Sequence, residues 1–335
     1  MSDKTERKRL EILRVLQEVG KPVGSSKITE RLFAAGHEIS ERTVRFYLGE
    51  MDAEGLTENL GRRGRLITHL GLQELGSARV AEKVGYMAAK IDQMTYRMSF
   101  DLSRRAGTVV VNVSIVKKDD LQKFIAPVQE TFRAGYGMGR LVTLFAPGSK
   151  LDGMTIPEGL VGLGTVCSIT LNGVLLINGI PTYSKFGGLL EVHEGKPVRF
   201  VEIIHYDGTT LDPLEIFIRG HMTDCFGAAR AGDGRIGASF RELPAESRDD
   251  VIDLAAELDK AGLGGFLVIG WPGQPVLEIP VNQGRVGAVV IGGLNPASVL
   301  EEKGVTTQSR ALATLAEYES FFHYEELGDR LQAIG

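Results

Sequence analysis

Apolar residues recur at helical spacing through the first fifty positions. Leu10, Leu13, Val15, Leu16 and Val19 mark one helix face, and Gly20-Lys21-Pro22 stops it. Ser25 is a candidate N-cap for a second short helix with Ile28, Leu32 and Phe33 turned inward and Gly36 past its end. Ser40 caps a third, in which Val44, Tyr47, Leu48 and Met51 form one buried stripe. After Gly55 the period shortens. Residues 56–59 and 65–68 read as two short strands joined by a Gly-containing turn at 60–64. Three small helices followed by a hairpin predict a winged helix-turn-helix over residues 1–72.

A second pattern begins at Val80 and runs through Val84, Met87, Ile91, Met94 and Met98. The 4-3-4-3-4 steps are those of an a/d seam, and predict a helix within a connector spanning 73–104. Two readings of its apolar stripe stand open: pairing between protomers, or packing on the body of its own chain.

From residue 105 to 335 the body is organised by an internal repeat. GMGRLVTLFAPG (137–148) aligns with GLGGFLVIGWPG (262–273), and the same 125-residue shift runs ungapped through 182 and 307. Across that span 11 of 46 positions are identical, against about three expected at ordinary residue frequencies. Six of the eleven are glycines, so backbone geometry is what the copies share. Each copy reads β-α-β-β-α-β, over about 107–190 and 232–315, which predicts two tandem ferredoxin-like units. Residues 198–205 and 214–219 read as further strands between them. The expected fold class is α+β and multidomain.

Composition adds exclusions. No apolar run approaches the roughly 20 residues of a membrane span, and the polar start is not a signal peptide. Cys167 and Cys225 are too few for a disulfide framework, so a reducing cytoplasm is expected. The net charge of −5 conceals an asymmetry: residues 1–70 hold 13 Lys/Arg and 11 Asp/Glu, the remainder 25 and 32. A mildly basic head on an acidic body suits a polyanion partner for the head alone.

Within the head the candidate DNA contacts are Ser40, Arg42, Thr43, Arg45 and Phe46 on the third helix and Arg62, Arg63 and Arg65 on the wing. The helix would enter the major groove while the wing arginines meet phosphates or a minor groove. The alternative is a solvated turn in a protein-contact module. Within the body, Cys167-Ser168-Ile169-Thr170 in copy one stands opposite Gly292-Gly293-Leu294-Asn295 in copy two. Both are strand-to-helix junctions with free backbone amides, and pseudo-twofold packing would bring them to one cleft. Candidate effector contacts there are Cys167, Ser168, Thr170, Asn172, Lys185, Thr209, Thr210, Arg241 and Asn295, a set of hydroxyls, amides and cations suited to a small carboxylate.

Catalytic signatures are missing from the sequence. Gly232-x-Gly234-x-x-Gly237 leads into a strand, the wrong context for a dinucleotide loop, and the six histidines show no metal-ligand spacing. Asp212 and Glu215 could form a carboxylate pair, but 211–215 reads equally as a turn and strand start. Neither a cofactor nor a metal is expected, and a non-enzyme is the reading adopted; a metabolic enzyme carrying a winged-helix interaction module is the alternative class.

The phrases TVCSITLNGVLLINGIP (165–181), KFGGLLE (185–191), IHYDGTTLDPLEIFI (204–218), MTDCFGAARAGDGRIGASFRELP (222–244) and VVIGGLNPASVLEE (289–302) resemble the regulatory domain of the NrpR family of nitrogen regulatory repressors. The head is similar to that family's winged helix. The resemblance implies a homodimer or higher oligomer that represses nitrogen-assimilation genes by binding promoter DNA and is released by 2-oxoglutarate. A regulator answering to another small acid or to a partner protein remains the nearer alternative.

Overall fold

The computed structural model describes residues 3–82 and 85–334, with side chains for 8–76 and 85–334. It divides into two compact units, Met1–Val84 and Gly85–Gly335.

The head consists of helices α1 (Asp3–Val19), α2 (Ser25–Ala34) and α3 (Glu41–Ala53), the hairpin β1 (Thr57–Asn59) and β2 (Arg65–Ile67), and helix α4 (His69–Glu82). Its core is the predicted one: Leu13, Leu16, Ile28, Leu32, Val44, Leu48 and Met51 are fully or almost fully buried. Two local expectations fail. Gly24, not Ser25, occupies the N-cap of α2 and makes no side-chain cap; the Ser25 hydroxyl bonds to the Glu41 carboxylate instead. Phe33, expected on the inner face, is 70% exposed.

The connector is not one helix. α4 ends at Glu82, and α5 (Tyr86–Arg97) starts afresh after Gly85, whose φ of +79° is a left-handed conformation that a side chain would strain. Met87, Ile91, Met94 and Met98 are buried in the core of their own body beside Val109, Ile169 and Leu312. That stretch of the stripe therefore packs within one chain. Val84 and the Val80 side chain lie outside the described residues.

The body continues with β3 (Thr108–Lys117), α6 (Lys118–Lys123), α7 (Ile125–Arg133), β4 (Leu141–Phe145), the small hairpin β5 (Lys150–Leu151) and β6 (Met154–Thr155), β7 (Leu160–Val166), α8 (Ile169–Ile177) and β8 (Tyr183–His193). An inserted segment follows: β9 (Lys196–His205), α9 (Pro213–Arg219) and α10 (Cys225–Ala231). The second copy is β10 (Gly234–Pro244), α11 (Arg248–Lys260), β11 (Phe266–Ile269), β12 (Arg285–Ile291), α12 (Asn295–Glu302) and β13 (Gln308–Glu317); β14 (Phe322–His323) and α13 (Leu327–Ala333) close the described chain.

Segment 214–219 is thus a helix rather than a strand. Asp212 accepts hydrogen bonds from the amides of Leu214 and Glu215, and Pro213 sits at the first helical turn, which together start α9. The cap was readable as Asp-Pro, but the alternating apolar residues that follow mimic a strand.

The larger departure is in pairing. Two five-stranded antiparallel sheets form, in the orders β13-β3-β7-β4-β14 and β11-β12-β10-β8-β9. The last strand of each copy leaves its own sheet for the other: β8 of copy one pairs with β10, and β13 of copy two pairs with β3. Two self-contained plaits, as expected from element order, would have kept β8 beside β3.

Equivalent clamps hold the two junctions. At position 170 the Thr side chain bonds to the amide and carbonyl of Val110, at 3.1 and 3.3 Å. At position 295, related by the repeat shift, Asn295 does the same to Gly237, at 2.8 and 2.9 Å, and also donates to the Tyr136 carbonyl. Asn295→Ala is expected to cost about 2 kcal/mol or more, because it strands buried backbone groups. A urea titration of the body's unfolding transition should show an earlier midpoint at unchanged slope.

Candidate functional site

On the head, the start of α3 is secured by Ser40, whose Oγ accepts from the Thr43 amide at 3.2 Å, with the two hydroxyls 2.8 Å apart. These hydroxyls hold the helix start, while Arg42, Arg45 and Phe46 project outward, Phe46 being 62% exposed. Arg45 is tethered to Glu41 at 2.6 Å and to Ser25 at 3.1 Å; the Arg45 and then the Ser25 hydrogen bonds lower the Glu41 pKa. Arg62 and Arg63 are exposed at the wing tip on the 3-10 turn Gly61–Arg63. Arg65 differs: its Nε donates to Asp52 at 2.8 Å, and Thr57 donates to the other oxygen of the same carboxylate at 2.5 Å. The arginine cluster therefore has a partner carboxylate, supplied by α3 thirteen residues upstream, and two of its three members are left for a ligand.

In the body, both junctions reach one cavity. Cys167, Ser168 and Ile169 line one wall and Gly292, Gly293 and Leu294 another; Asn112, Ser239, Tyr206, Asp212, the bulge Ala311-Leu312 and the apolar Ile91 and Leu214 contribute the rest. Gly293 is required, because any Cβ there would collide with the Val166 carbonyl and the Asn112 amide. The strand exchange makes this convergence possible, since β13 brings Ala311 and Leu312 across to the first strand of copy one. The cavity volume is about 20 Å³, room for about one water and not for a dicarboxylate.

Arg241 stands behind this wall. It is 1% exposed; one guanidinium nitrogen donates to the Ser168 carbonyl at 3.0 Å and another lies 3.5 Å from the Ser239 hydroxyl. Nε is buried with no partner. Burial pulls the guanidinium pKa down to about 10, which leaves it charged at neutral pH. Among the described residues no carboxylate lies within ion-pair distance of it. Its neighbour Glu242 is paired with Lys185 at 3.0 Å. A buried cation without a counter-ion is costly.

Asp212 lies on the opposite side of the chemistry. It is buried, and its pKa is pushed up to about 7 by burial first and then by the Glu215 carboxylate; the two capping amides and Lys90 pull it the other way. Glu215 is likewise raised by burial, although the Ala311 amide donates to it at 2.7 Å. The Cys167 thiol is raised to about 11 by burial, so it is neutral and unreactive at physiological pH.

Of the sequence candidates, Cys167 and Ser168 line the cavity and Arg241 braces it. Thr170 and Asn295 do not line it: their polar atoms are consumed in the backbone clamps. Asn172 faces Ser184, bonding at 3.0 Å, and Lys185 is committed to Glu242. Thr209 turns back on the Leu211 carbonyl, and neither it nor Thr210 reaches the cavity. Sequence reasoning missed Asn112, Tyr206 and Ser239 as wall residues. The clamps match Val110 to Gly237, which makes Asn112 and Ser239 equivalent positions, a relation that the 125-residue shift of the sequence does not give. Among the described residues no cluster of His, Cys, Asp or Glu is arranged to hold a metal.

Comparison with known proteins matches residues 84–323 to the NrpR regulatory domains NRD1 and 2. The chain belongs to the NrpR family. Residues 10–75 also match the winged-helix domain model of ribonuclease R. The global nitrogen regulator NrpRI of Methanosarcina mazei is 35% identical over 96% of this chain and 98% of its own length. The NrpR of Methanococcus maripaludis is 32% identical over 93% of this chain but only 54% of its own. A crystal structure of a nitrogen repressor-like protein from Methanococcus jannaschii superposes with a TM-score of 0.60 at 27% identity, covering 70% of this chain and 97% of that one. The chain is therefore a regulator rather than an enzyme, and the NrpR match contains every residue of the cavity. No described helix is long and apolar enough to cross a membrane.

Asp212 has a measurable signature. Its folded pKa of about 7 lies above the ordinary 3.8, so the native state holds more protons than the unfolded chain between those values. Stability contributed by this group is then present at low pH and lost as pH rises through about 7. Asp212→Asn keeps an N-cap side chain and removes the ionisation. Its melting temperature should exceed that of the native protein at pH 8, with the advantage shrinking steadily toward pH 4.

Proposed function

We propose that this chain is a DNA-binding transcriptional repressor of nitrogen-assimilation genes, released from its operator when 2-oxoglutarate binds at the cavity beside Arg241. The observation that carries the effector half is Arg241 itself, a fully buried cation with a free Nε and no carboxylate, set where the two repeat junctions meet. A carboxylate group is the ligand chemistry that completes a guanidinium. The DNA half rests on the winged-helix head and its exposed Arg42, Arg62 and Arg63. The names of the three NrpR relatives, all global nitrogen regulators, supply the gene class.

A cavity with room for one water cannot admit a dicarboxylate as it stands, so the effector favours a state in which the two junctions have parted. That difference in affinity between two states is what an allosteric switch requires, at about 1–3 kcal/mol of coupling in typical systems. We read the body as two ferredoxin-like units with exchanged last strands, in which parting the junctions bears on both sheets. The functional assembly in this reading is a homodimer or higher oligomer, so that two heads meet two half-sites.

The decisive experiment is fluorescence anisotropy on DNA from upstream of a glutamine synthetase gene, titrated with 2-oxoglutarate and, separately, succinate at equal ionic strength. Release by 2-oxoglutarate alone is expected, and Arg241→Met should bind DNA normally but ignore the effector. DNA binding indifferent to 2-oxoglutarate would overturn the effector assignment. Replacing Arg62 and Arg63 by alanine should flatten the slope of log affinity against log salt by about 1.8, the value for two phosphate contacts. An unchanged slope would remove the wing from the interface.

A further inference from the structure

The cavity holds a second polar group whose role the effector reading does not explain. Asp212 lines the same space as Ser168 and Ser239, the two residues that Arg241 touches, yet it makes no ion pair with Arg241. One of its oxygens, Oδ1, accepts the amides of Leu214 and Glu215 and caps α9. An ionised carboxylate in that position would face a dicarboxylate ligand with like charge, and such repulsion is stronger at a buried site than in water. A neutral carboxylic acid would instead offer an O–H donor to one of the ligand's oxygens.

Resting on the effector assignment above, we propose that Asp212 joins ligand binding as the neutral acid, its Oδ2 proton donated to the bound dicarboxylate, so that effector binding takes up one proton per chain. The charged and titratable groups around it are consistent with this. Lys90 on α5 donates to the Ala311 carbonyl, and Glu215 on α9 is occupied by the Ala311 amide and Arg219. The phenol of Tyr206 and the thiol of Cys167 are both held neutral by burial. Arg310 on β13 acts on Glu215, and Arg241 on β10 acts on Tyr206 and Cys167. Lys90 favours the ionised form of Asp212 from a distance but forms no salt bridge with it, and a second anion entering beside the aspartate strengthens its hold on a proton. The same arrangement sets specificity: the site takes an acid with an oxygen acceptor opposite Asp212, and takes it best where that aspartate is easily protonated.

The pseudo-twofold of the repeat also limits the number of such sites. The position equivalent to Arg241 in copy one is Ser114, whose hydroxyl is bonded to Ser309 at 2.8 Å. Copy one therefore carries no cation for a second ligand, and one effector is bound per chain.

The test is isothermal titration calorimetry of the full chain with 2-oxoglutarate at pH 6.0 and 8.0, each in two buffers of different ionisation enthalpy. The expected result is one ligand per chain, close to one proton taken up at pH 8.0, and much less at pH 6.0. Affinity should weaken up to tenfold for each pH unit above neutrality. Asp212→Asn should bind with no proton uptake and little pH dependence, whereas Glu215→Gln should keep the proton uptake with its pH profile shifted to lower pH. Binding without proton uptake at pH 8.0, uptake abolished by Glu215→Gln, or a folded Asp212→Asn that no longer binds would each overturn the proposal. Absence of binding by the native protein at either pH would overturn the effector assignment on which it rests.

Discussion

The exchange of last strands between the two sheets is the constraint on which the body depends. β8 completes the sheet of copy two and β13 completes that of copy one, so neither sheet is whole without the other copy. That reciprocity fixes the two strand-to-helix junctions at a common centre, with the Val110 and Gly237 backbones clamped in matching fashion by Thr170 and Asn295. The cavity is a consequence of this meeting.

Against that frame, Arg241 and Asp212 carry charge chemistry at a cost that the Ser168 hydrogen bond and the α9 cap offset only in part. A guanidinium with an unpartnered nitrogen and a buried carboxyl pushed up to about 7 both reduce stability relative to apolar residues of similar size. Other polar groups are treated differently: buried Glu242 has Lys185 and Asn282, and half-buried Glu302 caps the amides of Cys225 and Phe226. Other buried polar atoms of the body also lack partners, among them Thr165 Oγ1 and Asn172 Oδ1, but Arg241 is the charged one among them.

The head shows the same economy at smaller scale. Asp52 draws Arg65 and Thr57 to the base of the wing, which anchors β1 and β2 to α3 and leaves Arg62 and Arg63 outward at the tip. The wing is thereby held by the very helix expected to read the groove. Reading the three arginines as one unit overlooked this division, because the partner is near in space through the fold and not near in sequence.

Periodicity alone determined most of the elements: the buried stripe of α3, the wing, and the repeat with its shared glycines follow from local rules of spacing and turn chemistry. The same information placed both junctions opposite each other and singled out Arg241, Cys167 and Ser168. It failed where two structures share one pattern. A strand has the same alternation whichever sheet it joins, so the exchange of β8 and β13 was invisible, and Asp212-Pro213 opens a helix whose apolar residues also alternate. The a/d stripe from Met87 to Met98 is likewise the same for a partner helix as for the body's own core, and only packing resolved it. Which polar side chains stay uncompensated is a property of what surrounds them in three dimensions. The tertiary structure alone decided that Asn295 is a clamp, Lys185 an ion pair and Asp212 a member of the cavity.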